Sequence, residues 1–223
     1  MSTSSPAKRA APASGVNLAN MAYRAIMDMI LDRHIPSGEV IVEDRLANAL
    51  SISRTPIREA LVRLESEGLV RKEANRPYRV RQVSSREYFQ SMRLREILEG
   101  EAIANAIDKL DPKRLQAIKT EMLRLREEPK IRVEDHWAAD EELHTMIADG
   151  SGNAVMAEII RELRVTTRMF ELSGLPSRIR PDCEEHLTII AALESGDPAK
   201  ARAAMEQHIR SLATDVLNDI AKV

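Results

Sequence analysis

One short stretch, Ser53-Arg-Thr-Pro-Ile-Arg-Glu-Ala-Leu61, constrains the fold of this chain more than any other part of the sequence, because it places a proline among helix-forming residues. Proline lacks an amide hydrogen and its ring clashes with the preceding turn, so a regular helix accepts it only in the first turn. Ser53 precedes that turn and is a favourable N-cap residue. The sequence therefore predicts a helix from Arg54 to about Glu67, with Gly68 ending it.

Two further helices are predicted before this one. The first is expected from about Asn17 to Asp32, and the turn formers of His34-Ile-Pro-Ser-Gly38 end it. A second, short helix is expected from about Glu43 to Leu50. The apolar residues that should lie on their buried sides are Ala22, Ile26, Met29 and Ile30 in the first and Leu46, Ala49 and Leu50 in the second.

Two short strands are predicted after the proline-containing helix. They cover Leu69–Lys72 and Tyr78–Arg81, and Asn75-Arg76-Pro77 lies at the turn between them. The order helix, helix, turn, helix, hairpin is that of the winged helix-turn-helix. In this fold the helix after the turn enters the major groove of DNA. A DNA-binding unit is therefore expected over about residues 16–82, after a disordered leader at residues 1–15.

The first turns of the proline-containing helix carry side chains that suit DNA. Arg54 and Arg58 are four residues apart and share a face, and Thr55 adds a hydroxyl. A guanidinium group can bind guanine O6 and N7 bidentately or clamp a phosphate. The alternative is that these arginines simply lie on a solvated helix face, but the cap, the proline and the spacing together favour contact with DNA. The opposite face, which should be buried, carries Ile57, Ala60, Leu61 and Leu64.

With SRTPIREAL as its core, the segment from about Val40 to Val80 resembles the winged helix-turn-helix of the GntR family of bacterial regulators. The resemblance implies that Arg54, Thr55 and Arg58 contact double-stranded operator DNA, with Arg45 as a weaker candidate.

This chain departs from the family pattern at two places. Ser51 stands where many members have glycine, and the wing tip Asn75-Arg76-Pro77 lacks the common glycine. Asparagine tolerates the left-handed backbone conformation, so the turn is expected to survive. Arg76 is then a candidate for a minor-groove contact.

From Ser84 to the end, the pattern is helical. Six helices are expected, so the fold class is mainly α: a winged helix-turn-helix followed by an antiparallel helical bundle at residues 84–223. Ser84 and Asp197 are predicted N-caps, and Pro112 and Pro198 occupy the favoured first helical position. The expected breaks are Asp111-Pro112, the region around Pro129, Gly150-Ser-Gly152, Gly174-Leu-Pro176 and Gly196-Asp-Pro198.

Composition excludes several classes of protein. Residues 1–82 hold 13 Lys and Arg against 9 Asp and Glu, whereas residues 83–223 hold 20 against 26, so only the first part suits a polyanionic partner. The single cysteine, Cys183, cannot form an internal disulfide and favours a reducing cytoplasm. No apolar run approaches the ~20 residues of a membrane span, so no membrane partner is expected.

The histidines of the second part suggest a metal site. Asp140 and His144 are four residues apart on one predicted helix, while His186 and His208 lie on the last two. One carboxylate and three imidazoles can bind a divalent metal such as zinc, nickel, copper or iron, and the carboxylate leaves manganese possible. The alternative is that these histidines lie on helix surfaces or are satisfied in the core.

Three sequence features resemble the FCD-type ligand-binding domain of the FadR group of GntR regulators. They are Arg95-Glu-Ile-Leu-Glu99, then Asp140-x-x-x-His144 followed by Ser151-Gly-Asn153, and finally Glu185-His186 with Met205-Glu-Gln-His208. The resemblance covers residues 84–223, and the helix number suits the shorter, VanR-like branch. It implies that Asp140, His144, His186 and His208 are the ligands of a divalent metal, with zinc or nickel favoured and manganese or iron compatible. It also implies a small organic acid as effector.

Cationic side chains should line a site for an acid. Arg95 and Arg168 are the candidates, because each lies on a helix whose opposite face is apolar. On the helix of Arg95, that face includes Ile97. The alternative for Arg95 is an ion pair with Glu99. His136 falls outside the family pattern and is taken as an outer or surface residue, and a thiolate ligand role for Cys183 is less favoured than packing.

These features favour a homodimeric regulator whose affinity for operator DNA is controlled by a small carboxylate effector at a metal-containing pocket. A regulator in which the metal itself is the signal is an alternative. A metal-dependent hydrolase is a further alternative, but no nucleophile elbow, phosphate loop or His-Glu-x-x-His motif accompanies the histidines. An enzyme is therefore not expected.

Overall fold

The computed structural model of the chain describes residues 15–31, 33–72, 76–128, 130–171 and 178–222. Within these ranges it contains nine α-helices and one two-stranded antiparallel sheet. The chain divides into two compact units between Arg81 and Gln82. No helix in the described part is long and apolar enough to cross a bilayer.

The first unit has the order of a winged helix-turn-helix. Its elements are α1 (Gly15–Leu31), α2 (Glu43–Leu50), α3 (Arg54–Ser66), β1 (Val70–Lys72) and β2 (Tyr78–Val80). Ser51 is the C-cap residue of α2 and adopts the left-handed conformation with φ of 55°. Four residues on the inner face of α3 are buried at 1 % exposure or less, as predicted: Ile57, Ala60, Leu61 and Leu64.

The hairpin is held in a fixed register. Val70 pairs with Val80, Arg71 with Arg79 and Lys72 with Tyr78. The chain before α2 adds main-chain bonds on the other side of β2, where the Ile41 amide donates to the Tyr78 carbonyl at 2.8 Å and the Val80 amide donates to the Glu39 carbonyl at 3.0 Å. The hairpin is thereby tied to the start of the helix-turn-helix.

Several details of the first unit differ from the sequence expectations. Gly15 begins α1 rather than ending a leader, and residues 1–14 and Asp32 lie outside the described residues. Ala47 rather than Ala49 is buried in α2, because the inner face of this short helix is centred between Leu46 and Ala47, and Ala49 lies outside it. Ser53 occupies the N-cap position of α3, but its side chain makes no capping hydrogen bond.

The described part of the second unit contains six helices, as predicted. They are α4 (Ser85–Ala106), α5 (Pro112–Glu127), α6 (Val133–Gly150), α7 (Ala154–Glu171), α8 (Ile179–Glu194) and α9 (Pro198–Ile220). The Ser84 hydroxyl accepts from the Glu87 amide, and Asp197 accepts from the amides of Ala199 and Lys200, so both predicted caps are confirmed. The predicted breaks at Pro129 and Gly174-Leu-Pro176 lie outside the described residues.

Helix α4 lies at the centre of this unit. It packs against α9, α7 and α6, while α8 packs against α5 and α9. The inner faces of α6, α8 and α9 consequently meet near α4. Most of the enclosed surface is apolar, with residues such as Met92, Ile103 and Met205 at 2 % exposure or less. A polar cluster interrupts this core where α6, α8 and α9 meet.

The Ser84→Ala variant is expected to lower the free energy of unfolding by about 1 kcal/mol, because the Glu87 amide loses its partner at the start of the central helix. Chemical denaturation measures the change. Ser85→Ala, at the adjacent exposed position, is the matched control and should shift stability by no more than about 0.5 kcal/mol. Equal effects of the two substitutions would contradict the capping role.

Candidate metal centre and DNA-reading helix

The residues predicted as metal ligands are close together in the second unit. Asp140 and His144 project from α6, His186 from α8 and His208 from α9. One potential ligand atom from each lies within 4.8 Å of the other three. The Nε2 atoms of His144 and His186 are 3.3 Å apart, and Oδ1 of Asp140 lies 3.5 Å from the first and 3.4 Å from the second. Sequence spacing and helix packing thus bring the four side chains to one point.

The arrangement fits a divalent metal ion. In a tetrahedral site with metal–ligand bonds of about 2.0–2.1 Å, neighbouring ligand atoms lie about 3.3 Å apart, close to the separations found among Asp140, His144 and His186. The Nε2 atom of His208 is buried and has no hydrogen-bond partner among the described residues. A buried nitrogen without a partner is costly unless something binds it. The donor set therefore has the chemistry that zinc or nickel requires.

Each of three ligand side chains is oriented by a charged neighbour. Nδ1 of His144 contacts the Glu99 carboxylate, and Nδ1 of His208 lies 2.8 Å from Oε2 of Glu185. In both histidines the remaining nitrogen, Nε2, is thereby directed to the centre, as in carboxylate–histidine–metal arrangements. The other oxygen of Asp140 accepts a hydrogen bond of 2.6 Å from Arg164.

The charges at the site suit metal binding. Burial would raise the pKa of Asp140, but Arg164, His186 and His144 together outweigh burial and hold that pKa well below its usual range. Burial and the charge of Arg164 lower the pKa of His144 to about 4, and burial together with His186 lowers the pKa of His208. The carboxylate is therefore ionised and both imidazoles are neutral near pH 7, the forms in which they bind metals.

The two arginines predicted to meet an acid have other partners. Arg95 is 4 % exposed and donates to Glu99 at 2.6 Å and to Thr167 at 3.0 Å, so the predicted pairing with Glu99 is confirmed. Arg168 lies over the Trp137 ring, with the guanidinium carbon 4.6 Å from the ring centroid. Ile97 is half exposed, which reverses the polarity expected of this part of α4.

Sequence reasoning missed three charged residues near the centre. Arg164 and Asp182 are buried, and Glu185 had been noted only as a neighbour of His186. Arg164 falls between Ile160 and Thr167 on the inner face of α7, but Arg168 follows it by one turn, so the spacing did not single out Arg164. No local pattern indicated which arginine of α7 would face α6.

His136 is not a surface residue, contrary to one of its two expected placements. It is 5 % exposed, and its Nε2 lies 3.0 Å from Oδ2 of Asp182. Burial would lower the pKa of His136, but Asp182 and the nearby Cys183 raise it to about 10. Cys183 itself is fully buried, as expected of a packing residue.

A half-buried acid, Glu171, lies at the end of α7. The hydroxyl of the fully buried Tyr88 donates to Oε1 of Glu171 at 2.9 Å, and the Tyr88 ring stacks on Phe170 with a centroid separation of 4.6 Å. Burial raises the pKa of the Glu171 carboxyl to about 7, and Arg95 only partly opposes this shift. Glu171 therefore changes charge near neutral pH.

The predicted DNA-contacting residues lie on the exposed face of the first unit. The side chains of Arg54 and Arg58 are 60 % and 61 % exposed, and Thr55 between them is also exposed. Arg45 on α2 is 82 % exposed. Arg76 is exposed near the wing, while Asn75 of the predicted wing turn lies outside the described residues. The face that a helix-turn-helix presents to DNA is thus rich in accessible cations.

A winged helix-turn-helix followed by a helical unit is the architecture of a DNA-binding transcription regulator, and the family models and relatives that match the chain are those of regulators rather than enzymes. The family model for bacterial regulatory proteins of the gntR family matches residues 18–80, and the model for the FCD domain matches residues 90–211. The chain therefore belongs to the GntR family, in the group that carries an FCD domain. Both family resemblances seen in the sequence are confirmed.

Relatives and solved structures agree with this assignment. The Nta operon transcriptional regulator of Aminobacter aminovorans is 29 % identical over 192 residues, which cover 86 % of this chain and 91 % of that protein. The Uxu operon regulator of Haemophilus influenzae is 28 % identical over 228 aligned positions, covering 88 % and 82 % of the two chains. The fold is shared with E. coli McbR/YncC, with a TM-score of 0.71 at 21 % identity over 91 % of this chain and 98 % of that one.

We expect Glu171→Gln to gain stability relative to the wild type as the pH rises. The folded wild type keeps a proton on Glu171 up to a pKa of about 7, whereas the unfolded chain releases it near 4.5. Because the folded state binds more protons between these values, this group's contribution to the free energy of unfolding falls as the pH rises through that window. Thermal unfolding of both proteins at about pH 5 and about pH 8 measures the difference.

Glu162→Gln is the matched control, since Glu162 is an exposed acid on the same helix. Its effect should be nearly the same at both pH values. A constant difference between Glu171→Gln and the wild type would show that the pKa of Glu171 is not raised in the folded protein.

Proposed function

We propose that this protein is a homodimeric regulator, acting in the cytoplasm, that binds operator DNA through its winged helix-turn-helix unit and senses a small organic acid beside a metal ion in its FCD unit. The observation that carries the sensing part is the convergence of one carboxylate oxygen and three imidazole nitrogens within 4.8 Å. The separation of the chain into two compact units supports a division of labour between DNA binding and sensing.

Asp140, His144, His186 and His208 would hold the ion. Three imidazoles favour zinc or nickel, and the carboxylate leaves manganese or iron compatible. When bound, the ion supplies open coordination positions that an effector carboxylate can occupy. The chain's own contribution is orientation, because Glu99 and Glu185 fix two of the imidazole rings and Arg164 fixes Asp140.

The effector is proposed to be a small acid that reaches the metal centre from the α7 side. Arg164 donates directly to Asp140, and Arg95 lies one step further out, where it donates to Glu99. Both already bind carboxylates, so they would orient an incoming acid rather than neutralise it alone. Arg168, over the Trp137 ring, is a further candidate.

On the DNA side, Arg54, Thr55 and Arg58 are proposed to contact operator bases or phosphates, with Arg45 and Arg76 as flanking contacts. One such helix reads only a few base pairs, so a two-fold dimer on a palindromic operator is proposed. Effector binding would shift the population between two arrangements of the DNA-reading helices. The operon regulators among the relatives support control of an operon by this chain.

The Arg58→Ala variant is expected to weaken operator binding about ten- to a hundred-fold, the range of one good base contact. Fluorescence anisotropy with a selected operator, read at several salt concentrations, measures the change. Arg63→Ala is the matched control, since Arg63 lies near the end of the same helix and contacts Glu67 and Tyr23 instead. Unchanged affinity and salt dependence for Arg58→Ala would place Arg58 away from DNA.

Elemental analysis of untagged protein is expected to find about one metal ion per chain, because the four donors form one cluster. His186→Ala and His208→Ala should each lose it, because three remaining donors hold an ion weakly. His34→Ala should keep the metal, because His34 is an exposed histidine of the first unit.

A wild-type chain that is empty, and that also fails to bind added zinc, nickel or manganese, would overturn the metal centre. The DNA-binding proposal would be unaffected by that result. Metal-loaded protein would justify a screen of small carboxylates for binding that the two histidine variants lose.

A further inference from the structure

Arg54 and Arg58 on the DNA-facing surface are each accompanied by an acid. Nε of Arg58 lies 2.6 Å from Oε2 of Glu43, and Nε of Arg54 forms an ion pair with Oδ1 of Asp44. Glu43 and Asp44 are the first two residues of α2, so two successive acids face two arginines spaced by one turn of α3. This one-to-one matching concerns the two residues proposed above to read DNA.

Both carboxylates contact the same edge of the guanidinium group. In both pairs the carboxylate takes the Nε edge of the guanidinium, and no contact described for these residues uses the terminal Nη1 and Nη2 atoms. An arginine has five N–H donors in a rigid planar fork. A carboxylate on the Nε edge therefore leaves the terminal pair available for the O6 and N7 acceptors of a guanine, while it cancels most of the net charge.

We infer that Glu43 and Asp44 are specificity-determining residues, which hold the guanidinium groups of Arg58 and Arg54 for base contacts and suppress their attraction to phosphates. The inference rests on the proposed DNA contacts of these two arginines. It assigns to the start of α2 a role beyond the favourable placement of acids near a helix N-terminus.

The physical reason lies in the difference between the two kinds of DNA binding. Nonspecific binding depends almost entirely on cationic groups that replace counterions on phosphates, so a neutralised arginine contributes little to it. Specific binding also uses hydrogen bonds to base edges, which a guanidinium fixed by a carboxylate still donates. The acids consequently weaken nonspecific binding more than operator binding, which widens the ratio of the two affinities.

The test uses two single variants of the full-length protein, Glu43→Gln and Asp44→Asn. In each, the new side chain has nearly the same size as the natural one. Affinity for a selected operator duplex and for a scrambled duplex of equal length is measured across a salt series. Each variant should bind the scrambled duplex about three- to five-fold more tightly, the scale of one exposed ion pair. The dependence of that affinity on salt should steepen by up to about one counterion, and operator affinity should change less, so the specificity ratio falls.

Two controls separate this effect from a general change of charge or stability. Glu59→Gln removes an exposed acid of α3 for which no arginine contact is described, and it should leave the ratio nearly unchanged. In an Arg58→Ala background, Glu43→Gln should have no further effect on the ratio. Thermal unfolding of each variant checks that α2 is intact.

The inference is overturned if Glu43→Gln and Asp44→Asn change both affinities by the same factor, or if Glu59→Gln acts as they do. It is also overturned if the effect of Glu43→Gln persists without Arg58. Failure of the proposed DNA contacts gives a different result: Arg58→Ala alone would then leave the operator affinity of otherwise wild-type protein unchanged.

Discussion

The buried carboxylate of Glu99 is the interaction on which the polar centre of the helical unit depends. An ionised carboxylate at 2 % exposure is tolerated only when both of its oxygens have charged or hydrogen-bonding partners. Arg95 binds one oxygen and His144 the other, so a single group connects α4 with the candidate metal centre. Burial opposes the charge, yet these partners keep the pKa of Glu99 below its usual range. The imidazole of His144 is oriented as a result.

The same logic extends outward from the centre. Arg164 is 7 % exposed and must be matched by anions, which Asp140 and Glu141 supply at 2.6 and 2.9 Å. Arg178 at the start of α8 is likewise surrounded by Glu185 and Asp215. Removing one partner from such a network leaves an uncompensated charge, which costs far more than a single hydrogen bond. The polar centre therefore restricts how the helices can pack against one another.

Local patterns in the sequence were sufficient for much of this structure. Pro56 lies in the first turn of α3 and Gly68 follows its end. Ser84 and Asp197 cap their helices as predicted, and the Asp140-to-His144 spacing places two donors on one face. Each of these signals acts within one or two turns of helix, so no knowledge of the tertiary fold was needed. The family resemblance added the expectation that His186 and His208 belong to the same metal site as Asp140 and His144.

What the sequence could not indicate depends on contacts between distant segments. The partner of Asp140 is Arg164, 24 residues away, and that of His144 is Glu99, 45 residues away. Nothing within α7 distinguishes Arg164 from Arg168 until α7 is packed against α6. The pairing of Arg54 and Arg58 with acids of α2 was also invisible, because it arises from the angle between two helices rather than from spacing in either.

Helix α4 has an unusual consequence for how this protein can change through evolution. Its charged residues Arg95 and Glu99 are enclosed, whereas Leu94 and Ile97 are 48 % and 50 % exposed. Polar substitutions at Leu94 and Ile97 disturb few packed atoms, while a hydrophobic replacement of Arg95 strands the carboxylate of Glu99. Leu94 and Ile97 should therefore tolerate substitution during evolution, whereas Arg95 and Glu99 should be retained. This is the reverse of the usual pattern for a helix in a globular domain.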